Sequence, residues 1–141
     1  MSPVIPYGIY TIPEVSSVGE TEQSCAESGQ PAVVGRAPFA LNARGQIQGD
    51  LGGMTKLIAC ADTRKVLGVH VIGERASELV HLGQAAILMG ATVDLFVRMV
   101  FNYPTLSETY RQAAYDCIRA FEKPGGSMLP RAPADLPSAT S

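Results

Sequence analysis

Between Phe101 and Arg111 the chain reads Phe-Asn-Tyr-Pro-Thr-Leu-Ser-Glu-Thr-Tyr-Arg, and this stretch gathers the residues best suited to chemistry. Tyr103 brings a phenol and Glu108 a carboxylate. As residue types they also have plain structural uses. Tyr103 fits an interface aromatic with its ring packed and its hydroxyl wet. Thr105-Leu-Ser-Glu108, directly after Pro104, has the form of a capping box in which Glu108 reaches back to the Thr105 amide.

The remaining candidates are weaker. His70 falls in an apolar, strand-like run and reads as a satisfied sheet residue. His81 shares a polar helical strip with Glu78 and Gln84, where a surface contact and a tuned proton site are both open. No Cys-x-x-Cys pair accompanies the two histidines, so no metal site is expected. Gly49 to Lys56 is glycine-rich but matches neither the phosphate-loop nor the dinucleotide-fold spacing. Cys60 and Cys117 lie on faces that should pack, as inert buried thiols. With Cys25 they make an odd and scattered set, which suits a reducing compartment rather than a disulfide framework.

Hydrophobic periodicity supplies the elements that must hold these residues. Pro and Gly punctuate the first third, as short strands and tight loops require. A short helix is expected from Thr21, which can cap it, to Gly29, which stops it. Val33–Phe39, Met54–Ala61 and Val66–Ile72 read as strands, the last two joined by a four-residue hairpin loop, Asp62–Lys65. Their apolar residues fall on both faces, so helices should cover the sheet on both sides. Asn42–Gly53 reads as a loop holding at most one helical turn.

From Ala76 the period becomes helical: Ala76, Leu79, Val80, Gly83, Ala86 and Ile87 line one stripe, which ends at Gly90. A short helix is expected within Val93–Val100. A final helix carries the stripe Leu106, Tyr110, Ala113, Ala114, Cys117, Ile118 and Phe121. Strands followed by helices make the fold α+β, an antiparallel sheet covered by helices. Residues 1–122 form one domain, and 123–141 are a Pro/Ala/Ser-rich tail expected to be disordered.

Composition narrows the function classes. The 141 residues are 46% hydrophobic and 17% charged, with a formal net charge of −2, which suits a globular core and gives nucleic-acid binding no support. No apolar run approaches the ~20 residues needed to span a bilayer. A soluble, cytoplasmic protein is the expectation.

From Ile5 to Phe121 the chain resembles the C-terminal dimerisation domain of the pyridine nucleotide-disulfide oxidoreductases. Thr11–Gly19, Leu67–Gly73, Ala76–Gln84 and Tyr103-Pro104-Thr105 to Glu108 carry the resemblance, in the family's order. In most of that family a histidine stands at the position of Tyr103, oriented by the glutamate, and serves as acid/base in thiol–disulfide exchange at the partner's flavin. Tyr103 departs from this pattern. A phenol titrates near 10 and an imidazole near 6.5, so the usual dithiol route is not expected.

The phrases Pro6–Glu14, Gly73–Ala76, His81–Gln84 and Phe101–Thr105 are similar to one branch of the family, the Si-specific transhydrogenases, which pass hydride between nicotinamide nucleotides through FAD without a thiol. The resemblance implies a homodimer or a flavin-bearing partner subunit. It also implies a cis bond before Pro104. Tyr103 and Glu108 are the implied catalytic residues, and Tyr103 and Pro104 the implied contacts to the partner's FAD. FAD and NAD(P) themselves belong to domains whose motifs this sequence lacks, so the isolated chain is expected to bind neither and to be inactive. Two alternatives stay open: a free-standing dimerisation module, whose interface the apolar stripe of the final helix would supply, and the interface domain of a dithiol reductase such as lipoamide dehydrogenase in which Tyr103 replaces the base.

Overall fold

Residues 4–123 are described in the computed structural model, and they build a five-stranded antiparallel sheet with helices on it. The strands are β1 (Tyr7–Ile9), β2 (Val15–Gly19), β3 (Ala32–Pro38), β4 (Met54–Cys60) and β5 (Val66–Ile72). Their order across the sheet is β1-β2-β5-β4-β3. The helices are α1 (Glu22–Ser28), α2 (Ala43–Gln48), α3 (Ala76–Leu88), α4 (Asp94–Arg98) and α5 (Thr109–Glu122). The architecture is α+β, as the element order implied. The tail expected to be disordered lies, except for Lys123, outside the described residues.

Local chemistry sets the boundaries. Thr21 Oγ1 accepts from the Ser24 amide at 2.9 Å and Ser24 Oγ accepts from the Thr21 amide at 2.8 Å, a reciprocal cap that starts α1. Gly29 ends it at φ +69°, a conformation that favours glycine. The β4–β5 hairpin turns through Arg64 at φ +61°, a non-glycine residue in the left-handed region. That arginine is held by an ion pair to Asp94 at 2.8 Å and lies over the Phe121 ring.

One face of the sheet holds the main core. Cross-strand rows Val18–Val69–Leu57–Gly35 and Ser16–Val71–Thr55–Ala37 meet α3 and α5 there. Both helices come very close. A Cβ on Gly35 would meet the Ala113 carbonyl at 2.1 Å, and one on Gly83 would meet Val69 Cγ2 at 2.3 Å. Tyr110, fully buried, crosses from α5 to α3, where its hydroxyl donates to the Leu79 carbonyl at 2.6 Å and accepts from the Gly83 amide at 3.2 Å. Its ring packs on Phe96 of α4. The apolar stripe expected as a subunit interface is therefore used inside the chain: Tyr110, Ala113, Ala114 and Cys117 have no exposed surface. Only the flanks of α5, such as Tyr115 and Ile118, reach the surface.

The opposite face departs from the expected double cover. Helix α1 seals one end, where Cys25, Ala32, Val34 and Ile58 form a second small cluster. The next row, Tyr7–Ser17–His70–Lys56–Arg36, is mostly polar. Lys56 and Arg36 both pair with Glu22 of α1, at 2.8 and 3.0 Å. His70 Nε2 stands 3.0 Å from the Glu20 carbonyl, so that nitrogen carries the proton. The last row, Ile9–Val15–Ile72–Met54–Pro38, is apolar and no residue in it is fully buried. The expectation of two covered faces fails because polar and apolar residues alternate by row, and α1 is too short to reach the far end.

Asn42–Gly53 contains more structure than a loop. Asn42 Oδ1 accepts from the Arg44 and Gly45 amides at 3.0 and 3.2 Å and starts α2, which Gly49 ends at φ +75°. At the sheet edge, the Arg36 amide donates to Asp116 Oδ2 of α5 at 2.9 Å.

Candidate functional site

The Phe101–Glu108 segment is a turn anchored at both ends with its middle turned outward. Leu106 is buried and begins a single 3-10 turn, Leu106–Glu108, that leads into α5. Thr109, buried, donates to the Leu106 carbonyl at 2.6 Å and lies 2.8 Å from the Thr55 hydroxyl of β4. On the upstream side Arg111 donates to the Met99 carbonyl and covers the Phe101 ring. Between these anchors Tyr103 is 74% exposed. The Tyr103–Pro104 bond is cis, as the resemblance implied.

Two side chains of the α2 entry hold the turn. Arg44 Nε donates to the Pro104 carbonyl at 3.2 Å, and Asn42 Nδ2 donates to the Thr105 carbonyl at 3.1 Å. Asn42 is fully buried, and its amide thus serves the helix with its oxygen and the turn with its nitrogen. The sequence reading missed both residues. The only available cue was an Asn ahead of a short polar segment, which the glycines around it obscured.

The expected capping box does not form. Thr105 makes no side-chain cap, and its hydroxyl donates instead to the Asn102 carbonyl at 2.7 Å. Glu108 sits within a tight 3-10 turn and begins α5 without a side-chain cap bond. Its half-buried carboxylate makes no hydrogen bond among the described residues, with Tyr103 or any other group. The structure thus places Tyr103, Pro104 and Glu108 on one turn without coupling the phenol to the carboxylate.

The other candidates separate as read. His70 lies in β5, and His81 is exposed on α3 with its Nδ1 3.0 Å from Gln84 Oε1. No cluster of His, Cys, Asp or Glu able to hold a metal occurs among the described residues. All three cysteines are free and buried. Burial pushes the Cys117 thiol up to about 12. No described helix is long and apolar enough to cross a membrane.

Residues 5–114 match the family described as pyridine nucleotide-disulphide oxidoreductase, dimerisation domain. A soluble pyridine nucleotide transhydrogenase of Colwellia psychrerythraea is 49% identical over 113 residues, and one of Mycobacterium bovis is 51% identical over 113. These alignments cover 78% and 80% of this chain but 24% of each relative, so the chain spans about a quarter of their length. Among solved structures, LpdA from Mycobacterium tuberculosis superposes with a TM-score of 0.75 at 26% identity, covering 79% of this chain and 24% of that one. The HOCl-induced flavoprotein disulfide reductase RclA from Escherichia coli gives 0.75 at 25%, covering 79% and 26%.

Proposed function

The chain belongs to the pyridine nucleotide-disulphide oxidoreductases, as their dimerisation domain, and on that premise we propose that it completes the flavin site of a partner subunit in an FAD-dependent NAD(P)+ transhydrogenase. One observation carries the reading: an exposed phenol on a turn whose two following carbonyls are tied to a buried framework. A side chain held this way is presented to something outside the chain. The identity of about half the aligned residues to proteins named soluble pyridine nucleotide transhydrogenase supports hydride transfer over dithiol chemistry. So does the phenol at the position where a dithiol reductase needs a base.

The residues present fit one edge of a flavin and no more. Tyr103 offers an outward O–H and a ring face, while the glycine-bearing segment Gly49–Gly53 ends α2 and leads into β4, so it is no dinucleotide cradle. FAD, when bound by the partner, supplies the acceptance and release of hydride. Within this chain Tyr103 presents its hydroxyl at the turn, Asn42 and Arg44 fix the backbone beneath it, and Phe101 with Arg111 closes its upstream end. NAD(P) and FAD are bound by the part of such an enzyme that this chain does not span. The assembly is a homodimer or a pairing with a flavin-bearing subunit, in the cytoplasm.

The test mixes the purified chain with the remaining, flavin- and nucleotide-binding portion of the Mycobacterium bovis relative and follows NADPH-dependent reduction of a thio-NAD+ analogue. Activity should require both pieces. Activity of the chain alone, or none in a mixture that forms a stable complex, overturns the reading.

A further inference from the structure

Two non-glycine residues among those described adopt a left-handed backbone, and both are arginines, Arg64 and Arg75, each at φ +61°. This conformation strains any residue bearing a Cβ and suits glycine, so a long side chain there needs a reason. Arg64 has one: its ion pair with Asp94 and its contact with Phe121. Arg75 makes no ion pair or side-chain hydrogen bond among the described residues. Its side chain lines a cleft of about 510 Å³ between the start of α3 and the Pro104–Ser107 segment.

The other walls of that cleft define a ligand. Arg44 also faces it, with its Nε engaged on the Pro104 carbonyl, which leaves the terminal guanidinium nitrogens to donate. Ser107 contributes a hydroxyl that makes no side-chain hydrogen bond among the described residues. The floor is apolar, from Leu79, Leu82 and Leu106. The cleft also holds an acceptor, the Glu78 carboxylate. Two guanidiniums call for a multiply charged oxyanion, since their planar forks match phosphate. Glu78 calls for hydroxyl donors on the same molecule and disfavours a bare anion.

We propose that the Arg44–Arg75 cleft binds a sugar phosphate, its phosphate between the two arginines and its hydroxyls toward Glu78. This inference goes beyond the flavin-site reading and stands on the chain alone, so either can fail without the other.

The experiment titrates the 15N-labelled 141-residue chain with ribose 5-phosphate, inorganic phosphate and ribose, following amide shifts by NMR. Ribose 5-phosphate should saturate, with shifts concentrated at residues 75–79 and 105–107, and bind more tightly than inorganic phosphate. Arg75→Gln should weaken it by about tenfold or more, and Arg98→Gln, on α4 outside this cleft, should leave it unchanged. Arg75→Gly gives the sharper result: it relieves the left-handed strain, so Tm should rise by about 2–4 °C while binding is lost. Three results overturn the proposal: shifts that do not saturate, equal affinity for inorganic phosphate (an adventitious ion only), or an Arg75→Gly chain that binds like the parent.

Discussion

The helix-covered face of the sheet and the face behind it are built from the same strands to different ends. On the covered face Leu57, Val69, Val71 and Tyr110 are buried, and each of the two helices meets the sheet through a glycine, Gly35 of β3 or Gly83 of α3, so closely that no methyl group fits between. On the other face α1 seals one end, a polar row tied to Glu22 crosses the middle, and the far row from Ile9 to Pro38 stays part-exposed. The first face determines whether the chain folds. The second keeps apolar surface available, which in a dimerisation domain suits contact with other parts of an assembly. The Tyr103 turn belongs to the covered side, since Leu106 and Thr109 root it there.

The strongest way to break the contrast is Tyr110→Ala. It removes a buried ring and both hydrogen bonds to α3, and urea denaturation should show a loss of about 4–5 kcal/mol. Next comes a matched pair: Leu57→Ala should cost about 3 kcal/mol, whereas Ile72→Ala, on the uncovered row, should cost under about 1 kcal/mol. Equal losses would show that the second face is as tightly packed as the first. Asn42→Ala should cost about 2 kcal/mol, because the α2 cap goes and the Thr105 carbonyl loses its donor. In hydrogen exchange the same variant should speed the amides of residues 105–107 more than those of β4 and β5.

The smallest effect is in pH. Burial, aided by the Lys56 charge, holds His70 below its ordinary value of 6.5 despite the Glu20 carbonyl bond. Glu22 is held below the usual carboxylate value of 4.5, mainly by its hydrogen bond from Lys56. In both cases the unfolded chain takes up protons first, so stability falls as pH drops below 6.5, and falls again below 4.5. A stability–pH curve for His70→Gln should lack the upper limb and keep the lower one. Labelling with iodoacetamide at pH 8 provides a control, since Cys117 should react only in step with global unfolding.

Much of this was legible in the chain because it rests on short-range rules. Thr21 and Gly29 bound their helix, and the stripes from Ala76 and Leu106 identify the buried positions of α3 and α5. What escaped needs partners far apart in sequence. The polar row depends on Glu22 meeting Arg36 and Lys56, and residue spacing does not reveal that. Helix α2 hides behind Gly45 and Gly49, yet a Cβ on Gly45 would strike the Phe39 carbonyl at 2.2 Å, so the glycine that weakens the helix is the one that lets it pack. Thr105 and Glu108 spell a capping box but do not form one, because a 3-10 turn intervenes and Asn102 takes the threonine hydroxyl. The reciprocal cap that does form uses Ser24 where the usual pattern has Glu.

The single bond from the Arg36 amide to Asp116 has a consequence for how this protein can grow into larger assemblies. Amides along a strand alternate in direction, so Ala32, Val34, Arg36 and Pro38 share the outward side of β3. Arg36 has its hydrogen engaged by α5, and Pro38 has none to offer. Another strand approaching that edge would find half its hydrogen-bonding ladder missing, with the acidic Asp116 carboxylate standing in its path. Sheet extension from chain to chain, the route to fibres, is therefore hindered on this side, and among the described residues the other edge is the three-residue β1.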